Sequence, residues 1–278
     1  MNLSINAEHF LHKRCSENKR SIYECIDIAH AAGFRVIDLN AREASPYEIA
    51  KLSDYIGGKG MRVNQSHLPF NRYKKENFED FSKALKKCAE NACGLGSKIL
   101  VIHGDEFDFK TKEFSREAAI EFNYGLFAPI AEYAEKHNMK IAFENVFEDN
   151  FDGHPRFCSI TEDLIDLCDR FQSENVGICW DFGHGRVQYE KGEGYLNELP
   201  KLGDRLIATH VHDNYYGNDI HCFPFLGMMR WEECMQILKD INYKGDFTFE
   251  FVYDRIPDEL LVDYMKLIYK TGEYLINL

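Results

Sequence analysis

The sequence predicts a single (β/α)8 (TIM) barrel over residues 1–278, on three observations. Short β-branched apolar runs alternate with longer helical patterns from end to end, the strand-to-strand repeat averages under 40 residues, and no linker interrupts the series. The 7 prolines and 19 glycines are too few and too scattered to mark a linker or a low-complexity array. A doubly wound open sheet would carry a glycine-rich phosphate turn after its first strand, and Ile5–Leu11 has none.

In chain order, the strand runs are Leu3–Asn6, Val36–Leu39, Arg62–Gln65, Ile99–His103, Lys140–Glu144, Val176–Cys179, Ile207–Val211 and Phe247–Phe251. Helical stretches lie between them. Gly33 stops the first, and Ser45 ahead of Pro46 caps the second. Phe78, Phe81, Leu85, Cys88, Ala89 and Ala92 recur at three- and four-residue steps and give the third its core face, with Gly94 as its stop. Ser115 before Glu117 opens the fourth, and Ser159 or Thr161 before Glu162 caps the fifth. Gly245 closes the stretch ahead of the last strand, and Leu260, Tyr264, Leu267, Ile268 and Leu275 form a C-terminal stripe.

Composition narrows the function classes. Lys+Arg 33 against Asp+Glu 46 leaves a net charge of −13, which argues against a general polyanion binder. No stretch approaches the ~18 uninterrupted apolar residues of a membrane span. The opening MNLSINAEHF lacks the charged and apolar regions of a signal peptide. Nine cysteines, an odd number with no C-x-x-C, run from Cys15 to Cys234. Cys25, Cys88 and Cys168 fall at apolar helical positions, where free Cys acts as a small hydrophobe. A reducing cytoplasm is the expected compartment.

The chemistry lies at the C-terminal ends of the strands. His67 follows the third in NQSHLPF, His103 ends the fourth in ILVIHGD, and Glu144 ends the fifth in KIAFENV. Asp181 and His184 follow the sixth in ICWDFGHG, His210 and His212 end the seventh in ATHVHDN, and Glu250 ends the eighth in FTFEFV. This is the face on which barrel enzymes build their sites. Glu144 and Glu250 sit in apolar strands, where an unpaired carboxylate is costly unless a cation or donor meets it. A Glu/Asp/His/Glu set suits a divalent ion, with Mn²⁺ and Zn²⁺ ranked ahead of Co²⁺ and Mg²⁺. Period-2 alternation puts His210 and His212 on one face, so one can ligate while the other bonds substrate or a carboxylate. Cys179 reads as barrel packing, with a thiol facing the site as the alternative. His9, His12, His30, His137 and His154 show no such placement and read as structural or surface residues.

Together these residues resemble the xylose isomerase-like barrel superfamily, which holds sugar isomerases, ketose 3-epimerases, hexulose-phosphate epimerases and endonuclease IV. The resemblance runs from the S-H-x-P-F loop at His67 to the F-E-F strand at Glu250. From the epimerases it implies one metal held by Glu144, Asp181, His210 and Glu250, with the family's H-x-[KHN]-D histidine falling on His210 rather than His212. The nuclease branch binds three zinc ions through further ligands, matched here by His67, His103, His184, and Asp219 with His221 in NDIHCFPFLG. More than one metal is therefore left open. The sequence departs from the family at Gly227-Met228-Met229, which replaces the second glycine of a G-x-G turn and puts a close backbone approach there in doubt. It also lacks the epimerases' arginine in Asn214–His221, and Asn71 after Phe70 weakens the nuclease's apolar wedge.

The leading expectation is a metal-dependent isomerase or epimerase of a small sugar, sugar phosphate or related ketone. Its cation stabilises enediolate charge as the α-proton leaves, and Glu144 and Glu250 act as catalytic acid and base on either side of the carbon. His184 or His212 orients hydroxyls, and Phe70, Phe107, Phe147, Trp180 and Tyr215 are candidates for an apolar wall. The alternative is a zinc-dependent endonuclease for abasic DNA, with Arg72, Lys74 and Lys75 as its local basic surface. A third reading is a non-catalytic, metal-free sugar-binding barrel, which calls for Lys or Arg beside the carboxylates where the strand ends have none. A small carbohydrate is the expected partner, with neither nucleic acid nor membrane, and self-assembly is left open.

Overall fold

The computed structural model describes residues 1–11, 19–70, 78–104, 115–148, 156–189, 194–215, 217–251 and 256–278. His12, Cys15, Asn71, Arg72, Lys74, Lys75, Phe107 and His154 lie outside them. Strands β1 (Leu3–Asn6), β2 (Val36–Asp38), β3 (Arg62–His67), β4 (Ile99–His103), β5 (Lys140–Glu144), β6 (Val176–Asp181) and β7 (Leu206–Val211) are followed by a hairpin, β8 (Asp213–Tyr215) and β9 (Asn218–Cys222), and by β10 (Phe247–Phe249). All but the hairpin close into one parallel barrel in the order β1-β2-β3-β4-β5-β6-β7-β10. The last strand pairs with both β7 and β1, so the two ends of the chain meet at one seam.

The helices are α1 (Ile22–Ala32), α2 (Pro46–Gly58), α3 (Phe78–Gly94), α4 (Arg116–Lys136), α5 (Thr161–Phe171), α6 (Phe182–Gln188), α7 (Gly194–Glu198), α8 (Trp231–Asp240) and α9 (Asp258–Ile276). Ser45 makes a capping box with Glu48, Ser115 caps α4, and Gly33 takes the left-handed conformation after α1. The α3 stripe is buried from Phe81 to Ala92, with Phe78 half-buried at its start.

Several boundaries differ from the sequence reading. Neither Ser159 nor Thr161 caps α5; Ile160 holds that position, and the Thr161 N–H donates instead to the Tyr189 hydroxyl. Gly94 is still helical, and Gly96, at φ +83°, makes the turn into β4. Asn242, not Gly245, is left-handed after α8, while Gly245 lies against the Tyr243 hydroxyl and the Ile207 carbonyl. In α9 the buried face is Leu261, Met265, Ile268, Gly272 and Leu275, so Leu260 and Leu267 point outward.

Alternation along the strands sets up the site. Ile99, Val101, Ala142, Cys179 and Ala208 fill the lower lumen as a small apolar cluster. Two residues beyond Val101, Ala142, Cys179 and Ala208 stand His103, Glu144, Asp181 and His210, on the same inward face. Cys179 is thus barrel packing beneath the site. The described cysteines are all free, and Cys25, Cys88 and Cys168 are buried. Among the described residues no helix is long and apolar enough to cross a membrane.

Candidate metal centre

The ten ligand-type residues singled out in the sequence converge at the C-terminal mouth of the barrel. They form three groups: Glu144, Asp181, His210 and Glu250; His67, His103 and Glu144; and His184, His212, Asp219 and His221. Glu144 belongs to two of them. Strands β3 and β6 run to His67 and Asp181, longer than the sequence runs suggest, whereas β10 ends at Phe249 and leaves Glu250 just past the strand. Glu250 keeps the ladder through its N–H to the Val211 carbonyl.

In the first group, His210 Nδ1 lies 3.0 Å from Glu144 Oε1 and 3.1 Å from Glu250 Oε2. Both carboxylates are therefore aimed at one point. Asp181 Oδ1 caps α6 through the His184 N–H, and His212 Nε2 reaches the same carboxylate at 2.9 Å. His210 and His212 share an inward face, yet they serve different groups, because the chain turns into the hairpin after Val211. Gly183 is what lets His212 in: a Cβ there would fall 1.8 Å from His212 Cε1.

The imidazoles are oriented by backbone carbonyls. His67 Nδ1 lies 2.8 Å from the Leu68 carbonyl, His184 Nδ1 2.9 Å from that of Asn145, and His221 Nδ1 3.0 Å from that of Glu250. A carbonyl only accepts, so each Nδ1 carries the hydrogen and each Nε2 is turned inward. There the Nε2 atoms meet carboxylates: His67 faces Glu144 at 3.0 Å, His221 faces Asp219 at 3.3 Å, and His184 faces Asp219 at 3.6 Å. A lone pair facing a carboxylate is repulsive, so a proton or a cation must stand between them.

The electrostatics follow. Burial works against every charge here, but the imidazoles hold Glu144 and Glu250 well below the usual carboxylate range. Against the same burial, Asp181 and Asp219 push His184 up to about 10, and Asp219 pushes His221 up to about 9. Among the described residues no Lys or Arg pairs with Glu144, Asp181 or Glu250, as the metal-free sugar-binding reading requires. The donor set of imidazoles and carboxylates, with tautomers preset for Nε2 ligation, fits divalent cations.

A cavity of about 510 Å³ opens over the site, lined on one side by Glu144, Glu250 and His184 and on the other by Leu68, Pro69 and Phe70. That volume is in the range of small-molecule sites. Phe70 stacks on His103 with ring centres 4.3 Å apart, and Phe147 packs on His184. Trp180 is buried in the core and Tyr215 is exposed. A further histidine escaped the sequence reading. His9 lines this cavity, with Nδ1 on the Phe251 carbonyl and Nε2 3.4 Å from Glu250, the same clamped arrangement as the others. It lies in a single 3-10 turn after β1, three residues past the Asn6 cap, where no strand-end pattern marks it.

The family model described as xylose isomerase-like TIM barrel matches residues 26–271. The chain belongs to this family. The chain is 27% identical over 264 residues to the uncharacterized protein y4fM of Sinorhizobium fredii, covering 84% of this chain and 82% of that one. A shorter stretch of 89 residues is 32% identical to the D-psicose 3-epimerase of Enterocloster bolteae, over 32% of this chain and 27% of the enzyme. Among solved structures, a D-tagatose 3-epimerase-like protein superposes with TM-score 0.75 at 22% identity, over 100% and 98% of the two chains. IolI, solved with a bound zinc atom, superposes with TM-score 0.78 at 18% identity, over 99% and 98%.

Proposed function

We propose that the protein is a metal-dependent isomerase or epimerase of a small sugar, sugar phosphate or related ketone. The observation that carries this reading is the pair Glu144 and Glu250, buried, converging on His210, and both opening into the same cavity. Glu144, Asp181, His210 and Glu250 are the residues that would hold the cation, Mn²⁺ or Zn²⁺ ahead of Co²⁺ or Mg²⁺. Such an ion supplies positive charge for the oxygens of a bound ketose as a neighbouring C–H is ionised. The chain itself moves the protons: the ionised glutamate takes the α-hydrogen, and the other, protonated when substrate is bound, delivers its own hydrogen to the opposite side of the carbon for epimerisation. His184 meets hydroxyls, and Phe70 and Leu68 cover the apolar face of the sugar ring. The family resemblance of sugar 3-epimerases supports the same reading.

The test is hydrogen exchange. In D₂O the wild type should exchange the α-hydrogen of a ketose from a panel of free and phosphorylated sugars. Glu144→Gln and Glu250→Gln keep an oxygen ligand but lose proton transfer, so turnover should fall by at least about 10²-fold while metal content falls less than in Asp181→Ala.

A second reading has its own observation. His67, His103, His184, Asp219 and His221 add two further ligand groups, as a three-metal phosphodiesterase of the endonuclease IV type needs. Cleavage of abasic-site DNA, with every ketose left unexchanged, would select it over the isomerase.

A further inference from the structure

Beneath the four ligands lies a carboxylate that the proposed chemistry does not use. Asp38 ends β2 and is 0% exposed, and neither of its oxygens finds a hydrogen-bond partner among the described residues. A buried carboxylate with nothing to meet it is costly, so its persistence calls for a donor. The group facing it is His210, whose Nε2 lies 3.5 Å from Asp38 Oδ2 and is itself without a hydrogen-bond partner. The backbone aims Asp38 at this point. The β2–β3 register runs Val36 to Arg62, Ile37 to Val63, then skips to Asp38 opposite Gln65, and an irregularity of this kind re-aims a side chain. Cys179 also lies against His210, but a buried thiol is a weak acceptor beside a carboxylate.

We infer that Asp38 is the positioning carboxylate of His210. It accepts the Nε2 hydrogen, which leaves Nδ1 for the cation, or in its absence the proton, that stands between His210 and the Glu144 and Glu250 carboxylates, 3.0 and 3.1 Å away. His210 therefore differs from His67, His184 and His221. Those are clamped through Nδ1 by backbone carbonyls and present Nε2, whereas His210 is clamped through Nε2 by a side chain and presents Nδ1. A carbonyl clamp is fixed by the fold, but this one can be removed by a single substitution. The inference rests on the reading that His210 holds a cation.

The experiment uses full-length protein stripped by chelator and labelled with ¹⁵N at histidine. Before metal is added, the wild type should show an imidazole whose Nε2–H is hydrogen-bonded and slow to exchange, assigned to His210 by its loss in His210→Ala. Asp38→Ala should lose this signature, and Asp38→Asn should retain part of it through the amide oxygen. Zn²⁺ titration should then give affinity about 10–100-fold weaker in Asp38→Ala, the usual effect of losing a ligand's outer partner. In a His210→Ala background, Asp38→Ala should cost nothing further. The inference is overturned by Zn²⁺ affinity in Asp38→Ala that matches the wild type, by equal losses in both backgrounds, or by an unchanged Nε2–H signal. Should Asp38→Ala fail to fold, Asp38→Asn carries the test, and wild-type affinity together with an unchanged signal overturns it. A wild type that takes up no Zn²⁺ while its His210 Nε2–H signal follows Asp38 would sink the metal reading and leave the Asp38–His210 pairing standing.

Discussion

His212 and His221 lie face to face with ring centres 3.7 Å apart, and the space for this stack is made by a residue with no side chain. An alanine at Gly183 would drive a methyl into His212. Overpacking of this kind costs about 1–3 kcal/mol. Gly183→Ala should lower the thermal midpoint and bind fewer zinc equivalents per chain than the wild type; an unchanged equivalence point would show that His212 contributes nothing to cation binding. At this scale the sequence was informative where a residue's position on a strand decided its direction. His103, Glu144 and His210 are inward because the strand alternates, and a period-2 reading finds them. His9 escaped because a 3-10 turn has no such period. Asp38 escaped because a carboxylate after two apolar residues reads like any strand end, and only the barrel's closure shows that it faces His210.

The β8–β9 hairpin carries Asp219 and His221, and it is organised by one buried carboxylate. Asp213 accepts from the N–H groups of Asn214, Phe225 and Met229 and from the Trp231 indole, all at 2.9–3.0 Å. Gly227 is pressed against the same oxygens, so its lack of a side chain makes room for Asp213. The altered G-x-G turn at Gly227-Met228-Met229 therefore has a use in closing this loop. Each buried donor left without an acceptor costs about 1–3 kcal/mol. Asp213→Ala should lose on the order of 3 kcal/mol or more, seen as a lower denaturation midpoint and new proteolytic cleavage between residues 217 and 228. A variant as stable and as protease-resistant as the wild type would remove Asp213 from this role. Sequence reading identified all eight barrel strands but passed over this hairpin, because NYYGNDIHC lacks the apolar alternation of a half-buried strand. The α9 face was misplaced for a related reason: Leu260 and Leu267 are apolar yet outward, and hydrophobicity alone cannot tell a core leucine from an exposed one.

For the whole molecule, the metal-free site makes stability depend on pH in two opposed ways. His184 at about 10 and His221 at about 9 are raised above the unfolded value of about 6.5. Their contribution is complete below about pH 6.5 and is lost as pH rises toward those values. Glu144 and Glu250 are depressed, so theirs is present above about pH 4.5 and lost on acidification. Chelator-treated protein should therefore be most stable between about pH 5 and 6.5 and should melt progressively lower toward pH 9. Added Zn²⁺ should raise the midpoint more at pH 8 than at pH 6, since the cation competes with protons for the same Nε2 atoms. A flat midpoint from pH 6 to 9 in the metal-free protein would contradict this. The seam between β1 and β10 carries a consequence for biosynthesis. A nascent chain that has emerged only through β7 already holds His67, His103, Glu144, Asp181 and His210, but it presents β1 and β7 as open edges and lacks Glu250. The ribosome must release the last strand before the pocket exists at all, so the interactions of the finished site belong to the closed product and act chiefly to slow its reopening.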